Sequence, residues 1–498
     1  MLKQKFILSY ASKMVVQFVT IATSIIVARI VGPSVMGTIA WALAYVQMFG
    51  FIADLGLGTA HIKLISEGRE PSKCMGTYTV LKFSASGLYL IVFMGNYLLK
   101  KFVFHDPFES QVHEYVLFIS LAYMMIQDSL NIAIATFAGK TEQAKQDIPY
   151  MIQNVFGQFL RVAIVLLGGR AIALAFGNLV SGIVILPMYI MMMRNYKFGK
   201  FDKELAKEYI KIAAPVLILG AATTLTNTID KVMLQSLTDS EQVGYYTAGQ
   251  RIGGFILLIS RSMSLLFFPM FSAAVVKGDF NFIQEKIYKF ERFSFLFILP
   301  FVVLIALYSR DIVMILLGPE YMPSINMMSI STVALFLTVF NTPQGNVMTG
   351  LGKFRLVAII AVVNLAIYAV LIYVFVSKDF LNYGGEGVSW CLLITNVLIG
   401  VFYRYFCYKA SKLLSNRLAI QFIIYGIINF ALFWLIFKNY FIDKVILRIV
   451  FLPIYLLLTY GSFYLFKWMN MNDVYQLLGL FNVKAMKNYI SGEMKNKK

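Results

Sequence analysis

Across 498 residues, 59% of the side chains are hydrophobic and only 14% are charged, with a mean hydropathy of +0.73 and a net charge of +19. Such a composition excludes an array of soluble domains and defines a polytopic membrane protein. Its basic residues lie between apolar runs and not in a Lys/Arg patch interleaved with stacking aromatics, which excludes nucleic acid and leaves membrane orientation and anionic lipid as their explanation.

An apolar window of about 20 residues crosses about 30 Å of hydrocarbon. On that measure about fourteen helices are expected, near 8–31, 35–56, 76–99, 115–138, 149–168, 171–193, 209–236, 243–268, 291–309, 324–346, 356–377, 387–406, 418–437 and 447–466. The first follows Lys3 and Lys5 and is too long for a cleaved signal peptide, so it reads as a retained span. It forms a hairpin with the second across a turn at Val31-Gly32-Pro33-Ser34. Arg29 and Asp54 sit at or just inside the ends of these runs, where an ion costs about 2.5–3.5 kcal/mol at full depth unless water or a partner relieves it. Something polar must run between the helices, and Arg29 with Asp54 could itself be a structural ion pair.

Most of the 44 Lys and Arg fall on the side shared by the N-terminus and every second loop, above all Arg194, Lys197, Lys200, Lys203 and Lys207 and the tail Lys495, Lys497 and Lys498. Both termini are therefore expected in the cytoplasm. Asp473 to Ile490 reads either as an amphipathic helix on the membrane surface or as a disordered tail.

The basic loop after Arg194 separates two sets of helices that echo one another. Met36-Gly37 with Ala40 is matched by Val243-Gly244 with Ala248, Gly139-Lys140 by Gly352-Lys353, and Gly168-Gly169 by Gly384-Gly385. Offsets of roughly 210 residues with orientation preserved fit parallel repeats. The expected organisation is an N-lobe over 1–200, a C-lobe over 201–412, two further helices over 413–468 and a tail over 469–498.

Inside the expected spans lie Lys13, Arg29, Lys82, Arg161, Lys231, Arg251 and Arg261. Lys13, Lys82 and Arg261 are near enough to helix ends to reach water along their own stems. Arg161 is not: with Asn154 and Gln158 it forms one polar stripe at i, i+4 and i+7, which lines either an aqueous cavity or a buried polar network. Lys13, Gln17, Thr20 and Ser24 repeat that spacing on the first span, Asn227 and Asp230-Lys231 end the seventh, and Gln250-Arg251 enter the eighth. Asp128, beside Gln127, is a further deep acid, and Asp54, Asp128 and Asp230 are candidates either for ion coupling or for structural pairing. More Arg and Lys than Asp suits an anion, and guanidinium suits phosphate through paired hydrogen bonds.

Cys74, Cys391 and Cys407 are far apart and imply no disulfide framework; His61, His105 and His113 have no zinc spacing. With no Gly-rich phosphate loop, nucleophile elbow or paired-carboxylate motif, no enzyme, metal or cofactor is called for.

Three passages resemble Wzx-type oligosaccharide flippases, the polysaccharide-export branch of a superfamily that also holds multidrug extruders and lipid II flippases. They are Ala28-Arg29-Ile30-Val31-Gly32-Pro33-Ser34-Val35-Met36-Gly37 with Ala53-Asp54-Leu55-Gly56-Leu57-Gly58-Thr59-Ala60; Ile229-Asp230-Lys231-Val232-Met233-Leu234 with Val243-Gly244-Tyr245-Tyr246-Thr247-Ala248 and Phe268-Pro269; and Leu317-Gly318 with Tyr321 and Thr349-Gly350-Leu351-Gly352-Lys353.

The resemblance implies an all-α fold with two six-helix lobes around a central cavity and two C-terminal helices. It implies export of an undecaprenyl-pyrophosphate-linked repeat unit, for O-antigen, capsule or a similar polymer, across a bacterial plasma membrane by alternating access. A monomer is expected, with a polysaccharide polymerase and a chain-length regulator as candidate partners. Family members usually carry Arg where this chain has Lys231, which keeps the charge and loses the paired geometry. The readings to be separated from it are a lipid II flippase, a cation-coupled drug exporter, and a scaffold of a glycan-assembly complex that transports nothing.

Overall fold

The computed structural model describes residues 2–105, 108–257, 267, 270–412, 417–440 and 445–469; the expected tail helix and Arg261 lie outside them. It is built of helices: α1 (Leu2–Met48), α2 (Gly50–Asp54), α3 (Leu57–Ser66), α4 (Pro71–Leu98), α5 (Gln111–Gly139), α6 (Gln143–Leu166), α7 (Ala171–Met193), α8 (Lys203–Thr226), α9 (Ile229–Leu237) and α10 (Ser240–Gly253). After these come α11 (Phe280–Phe293), α12 (Leu299–Leu307), α13 (Ser309–Leu316), α14 (Ser324–Gly350), α15 (Phe354–Val376), α16 (Gly384–Ser411), α17 (Arg417–Tyr440) and α18 (Val445–Leu465). Among the described residues, nine stretches are long and apolar enough to cross a membrane, with shorter apolar helices at Ile424–Ile436 and Val450–Leu465. The protein is therefore all-α and multi-pass, and the expected count of fourteen is not reached by length and apolarity alone.

Two of the departures from the expected helices have plain backbone causes. The turn between the first two spans is narrower than expected: within α1 only Gly32 leaves helical geometry, at φ 78° and ψ 174°, and Pro33 restarts the helix with its φ already set. The second span then breaks again where Leu55 (φ 48°) and Gly56 (φ 77°) follow one another in the left-handed region. Gly56 is required there twice over, because a Cβ would also lie 2.8 Å from the Ala213 carbonyl.

By packing, the chain divides into two compact units. The larger comprises Met1–Asp279 and Tyr308–Lys412, and the smaller Phe280–Leu307 and Leu413–Lys498. Residues 280–307 thus group with the last helices. An aromatic cluster explains this: Phe295 stacks on Phe422 with centroids 4.1 Å apart and meets Tyr425, Phe463 and Trp468 within 5.6 Å.

Within the larger unit the two sequence halves touch along α1 and α10. Gly37 and Gly244, matched positions of the internal echo, face one another's segments. A Cβ on Gly37 would lie 1.7 Å from the Ser240 carbonyl oxygen, and one on Gly244 would lie 2.0 Å from that of Pro33. Beside them His113 and Ser240 lie 2.7 Å apart, with Ser240 donating to Glu109 at 2.7 Å. Further contacts join α8 to the first half: His61 Nδ1 is 2.7 Å from the Tyr209 hydroxyl, and Arg69 pairs with Glu208 at 2.9 Å.

Candidate functional site between the sequence halves

Helix α6 presents the polar stripe predicted from its spacing. Gln158 accepts from Thr23 of α1 at 2.8 Å, so the stripe faces the first helix, and Asn154 is turned back on the Tyr150 carbonyl. One turn further on, Arg161 has its Nε buried with no hydrogen-bond partner.

From the other half, α10 brings Arg251 to a narrow cleft of about 20 Å³ whose walls include Ser24, Ala28, Met36, Thr247 and Leu317. Arg161 is not among the residues lining this cleft. Neither makes an ion pair among the described residues. Ser24, on the stripe of the first span, lines this cleft, while Gln17 is half-buried on the same helix and Lys13 is exposed. Gln250 donates to the Tyr246 hydroxyl at 2.9 Å, and Asn227 is exposed at the end of α8.

The expected Arg29–Asp54 pair is not made. Arg29 donates to the Ile315 carbonyl at 2.9 Å, capping the last turn of α13, where a cation meets the negative end of the helix. Asp54 instead accepts from Lys82 at 3.3 Å, and Lys82 contacts Asp128 at 2.6 Å. Lys82 therefore does not reach for water: its side chain is 1% exposed. Asp128 also accepts from Ser86. Asp230 and Lys231 do pair, at 3.1 Å, and the Tyr246 hydroxyl donates to the same carboxylate at 2.9 Å.

Two clusters escaped the sequence reading. His61 Nε2 lies 3.0 Å from the Thr136 hydroxyl, which donates to Ile132; Tyr209 is within 2.7 Å of Nδ1, and Tyr78 stacks on the ring at 4.0 Å. Arg404 donates to Asn341 at 2.7 Å and lies over the Phe340 ring. No short motif joins these residues; the one available signal was a polar side chain in an apolar run, which gives no partner.

Two cations, Arg161 on α6 and Arg251 on α10, thus stand one in each sequence half of a multi-pass helical bundle. The chain resembles the solved lipid II flippase MurJ in an inward closed conformation, with a TM-score of 0.70 at 14% identity over 93% of this chain and 98% of that one. It also resembles an inward-facing multidrug resistance MATE family transporter of the MOP superfamily, with a TM-score of 0.60 at 13% identity over 81% and 95%. At these identities the likeness establishes the fold.

The profile of the polysaccharide biosynthesis protein family matches residues 26–326, more than half of the chain, and the chain belongs to that family. Among curated relatives, a probable low-salt glycan biosynthesis flippase, Agl15 of Haloferax volcanii, is 23% identical over 302 residues, covering 59% of this chain and 60% of the relative. A putative O-antigen transporter of Shigella flexneri is 24% identical over 189 residues, covering 36% and 44%. The matches thus span between about two-fifths and three-fifths of those relatives' own lengths.

Proposed function

We propose that this protein is a flippase that moves an undecaprenyl-pyrophosphate-linked oligosaccharide from the cytoplasmic to the outer leaflet of a bacterial plasma membrane, for assembly of a surface polysaccharide. The observation that carries this reading is the pair Arg161 and Arg251: one cation on each sequence half, Arg161 with a buried Nε that has no partner and Arg251 on the wall of a cleft, neither in an ion pair among the described residues. In an apolar interior that arrangement is costly when empty and favourable around a bound anion. Guanidinium groups offer pyrophosphate paired, planar donors. A cationic drug would meet the wrong sign of charge.

Arg161 and Arg251 grip the pyrophosphate, Lys13, Arg29 and Lys231 add positive potential along the route, and Asn154, Gln158, Gln17, Asn227 and Gln250 offer hydrogen bonds to the sugars. The lipid tail stays in the bilayer. The cleft at Arg251 holds only about 20 Å³, far below what encloses even a drug-sized ligand. An oligosaccharide needs more, so the lobes of residues 1–200 and 201–412 part and close in alternating access, with both termini cytoplasmic. With the inside negative, carrying two phosphate charges outward is favoured by about 2.3 kcal/mol per charge per 100 mV. The protein acts as a monomer that hands its cargo to a polymerase and a chain-length regulator.

The test is transfer of a lipid-linked oligosaccharide across proteoliposomes by the native protein, Arg161→Ala and Arg161→Gln at matched folded levels. Collapse in both variants supports the anion site, native rates in both refute it, and no transfer by the native protein moves the case to a scaffold. A lipid II flippase is separated by depletion in cells: arrest of wall synthesis identifies it, and loss of a surface polymer alone identifies an oligosaccharide flippase.

A further inference from the structure

The break in the second span leaves the Ala53 carbonyl without the main-chain N–H that a continuous helix would supply. Helix α2 ends at Asp54, and the left-handed Leu55 and Gly56 turn the chain away before α3 begins. Lys82 of α4 fills the gap, donating to Ala53 at 2.9 Å. The same ammonium reaches Asp54 Oδ1 at 3.3 Å and Asp128 Oδ1 at 2.6 Å. Three oxygens from α2 and α5 thus surround the ammonium, two accepting hydrogen bonds and Asp128 Oδ1 in ion-pair contact. Ser86 holds the other oxygen of Asp128.

One helix-end carbonyl and two carboxylates form an all-oxygen donor set, the kind that binds hard cations. We propose that Lys82 is a tethered counter-cation: its ammonium permanently fills a cation cage made by Ala53, Asp54 and Asp128. The third deep acid is closed in the same way, since Asp230 takes Lys231 on both carboxylate oxygens at 3.1 Å and the Tyr246 hydroxyl at 2.9 Å. Asp54, Asp128 and Asp230 are then all taken by cations of this chain. Together with the proposed transport of a glycolipid, the cage removes Asp54 and Asp128 as sites for a coupling ion; the cage itself does not depend on that transport.

The experiment reads cation binding, so its result stands whether or not a glycolipid is transferred. Thermal unfolding of the full chain is followed in sodium chloride, calcium chloride and choline chloride at equal ionic strength, for the native protein, Lys82→Ala and Lys82→Ala/Asp128→Asn. The native protein should melt at one temperature in all three salts. Lys82→Ala should melt several degrees higher in sodium or calcium than in choline, because its two carboxylates are now open to a hard cation, and the double variant should lose that response. A native protein stabilised by sodium through Asp128, tested by loss of the effect in Asp128→Asn, overturns the proposal. So does a folded Lys82→Ala indifferent to the salts, or a Lys82→Ala that folds in none of them beside a double variant that does.

Discussion

Gly37 and Gly244 hold the two sequence halves together by contact of main chain with main chain, each occupying a space that a single methyl group would obstruct. Alanine at either position would place a Cβ within about 2 Å of a carbonyl oxygen, and relief requires the helices to separate. Overpacking of this kind costs about 1–3 kcal/mol. Gly244→Ala should therefore lower the melting temperature and expose this contact. A cysteine replacing buried Thr38 in a cysteine-free background should react with a membrane-impermeant maleimide faster in Gly244→Ala than in its absence, and equal rates would show that the helices do not part.

Arg161 is a cation whose buried Nε has no partner, so neutralising it should relieve strain. Arg161→Gln should melt at or above the native temperature while transfer collapses, the usual opposition between a functional site and stability. A fall in melting temperature accompanied by normal transfer would make the residue structural.

The carboxylates of the Lys82 cage should differ in cost. Asp128 has a side chain 10% exposed and Asp54 one 45% exposed. Removing a partner from a buried pair costs about 3–5 kcal/mol, whereas exposed pairs contribute about 0–1 kcal/mol. Asp128→Asn should accordingly destabilise far more than Asp54→Asn in thermal unfolding, and the reverse order would place the ammonium mainly on Asp54.

Tyr209→Phe removes the hydroxyl beside His61 Nδ1, which also donates to the Cys74 carbonyl at 3.2 Å. Leaving such buried groups unpaired costs about 1–3 kcal/mol. With Thr136→Val on the other ring nitrogen, the combined loss should differ from the sum of the single losses, since both act through one imidazole. Additive losses would mean that the ring does not link α8 to α5.

How far the sequence revealed this molecule depended on distance along the chain. Periodicity and apolar length showed helices, and the stripe Asn154, Gln158 and Arg161 was legible because one helix carries it all. The echo between Gly37 and Gly244 was visible as a match, but only packing shows that the matched residues meet. Lys82 was misread because a basic residue near a helix end looks the same whether it reaches water or two acids, and its partners are 28 and 46 positions away. The grouping of 280–307 with the last helices was hidden for the same reason, since aromatic residues are common throughout an apolar chain and the sequence does not pair Phe295 with Phe422.

The Gly37–Gly244 contact also bears on leakage. A barrier made by side chains can flicker open as a rotamer changes, on a scale of picoseconds to nanoseconds, whereas one made by abutting backbones yields only to collective helix motion, on a scale of about microseconds to milliseconds. Water and small ions therefore find no brief opening there between turnovers. For the flippase proposed above, such a contact would trade speed for tightness, so that a membrane containing many copies keeps its potential while most of them stand idle.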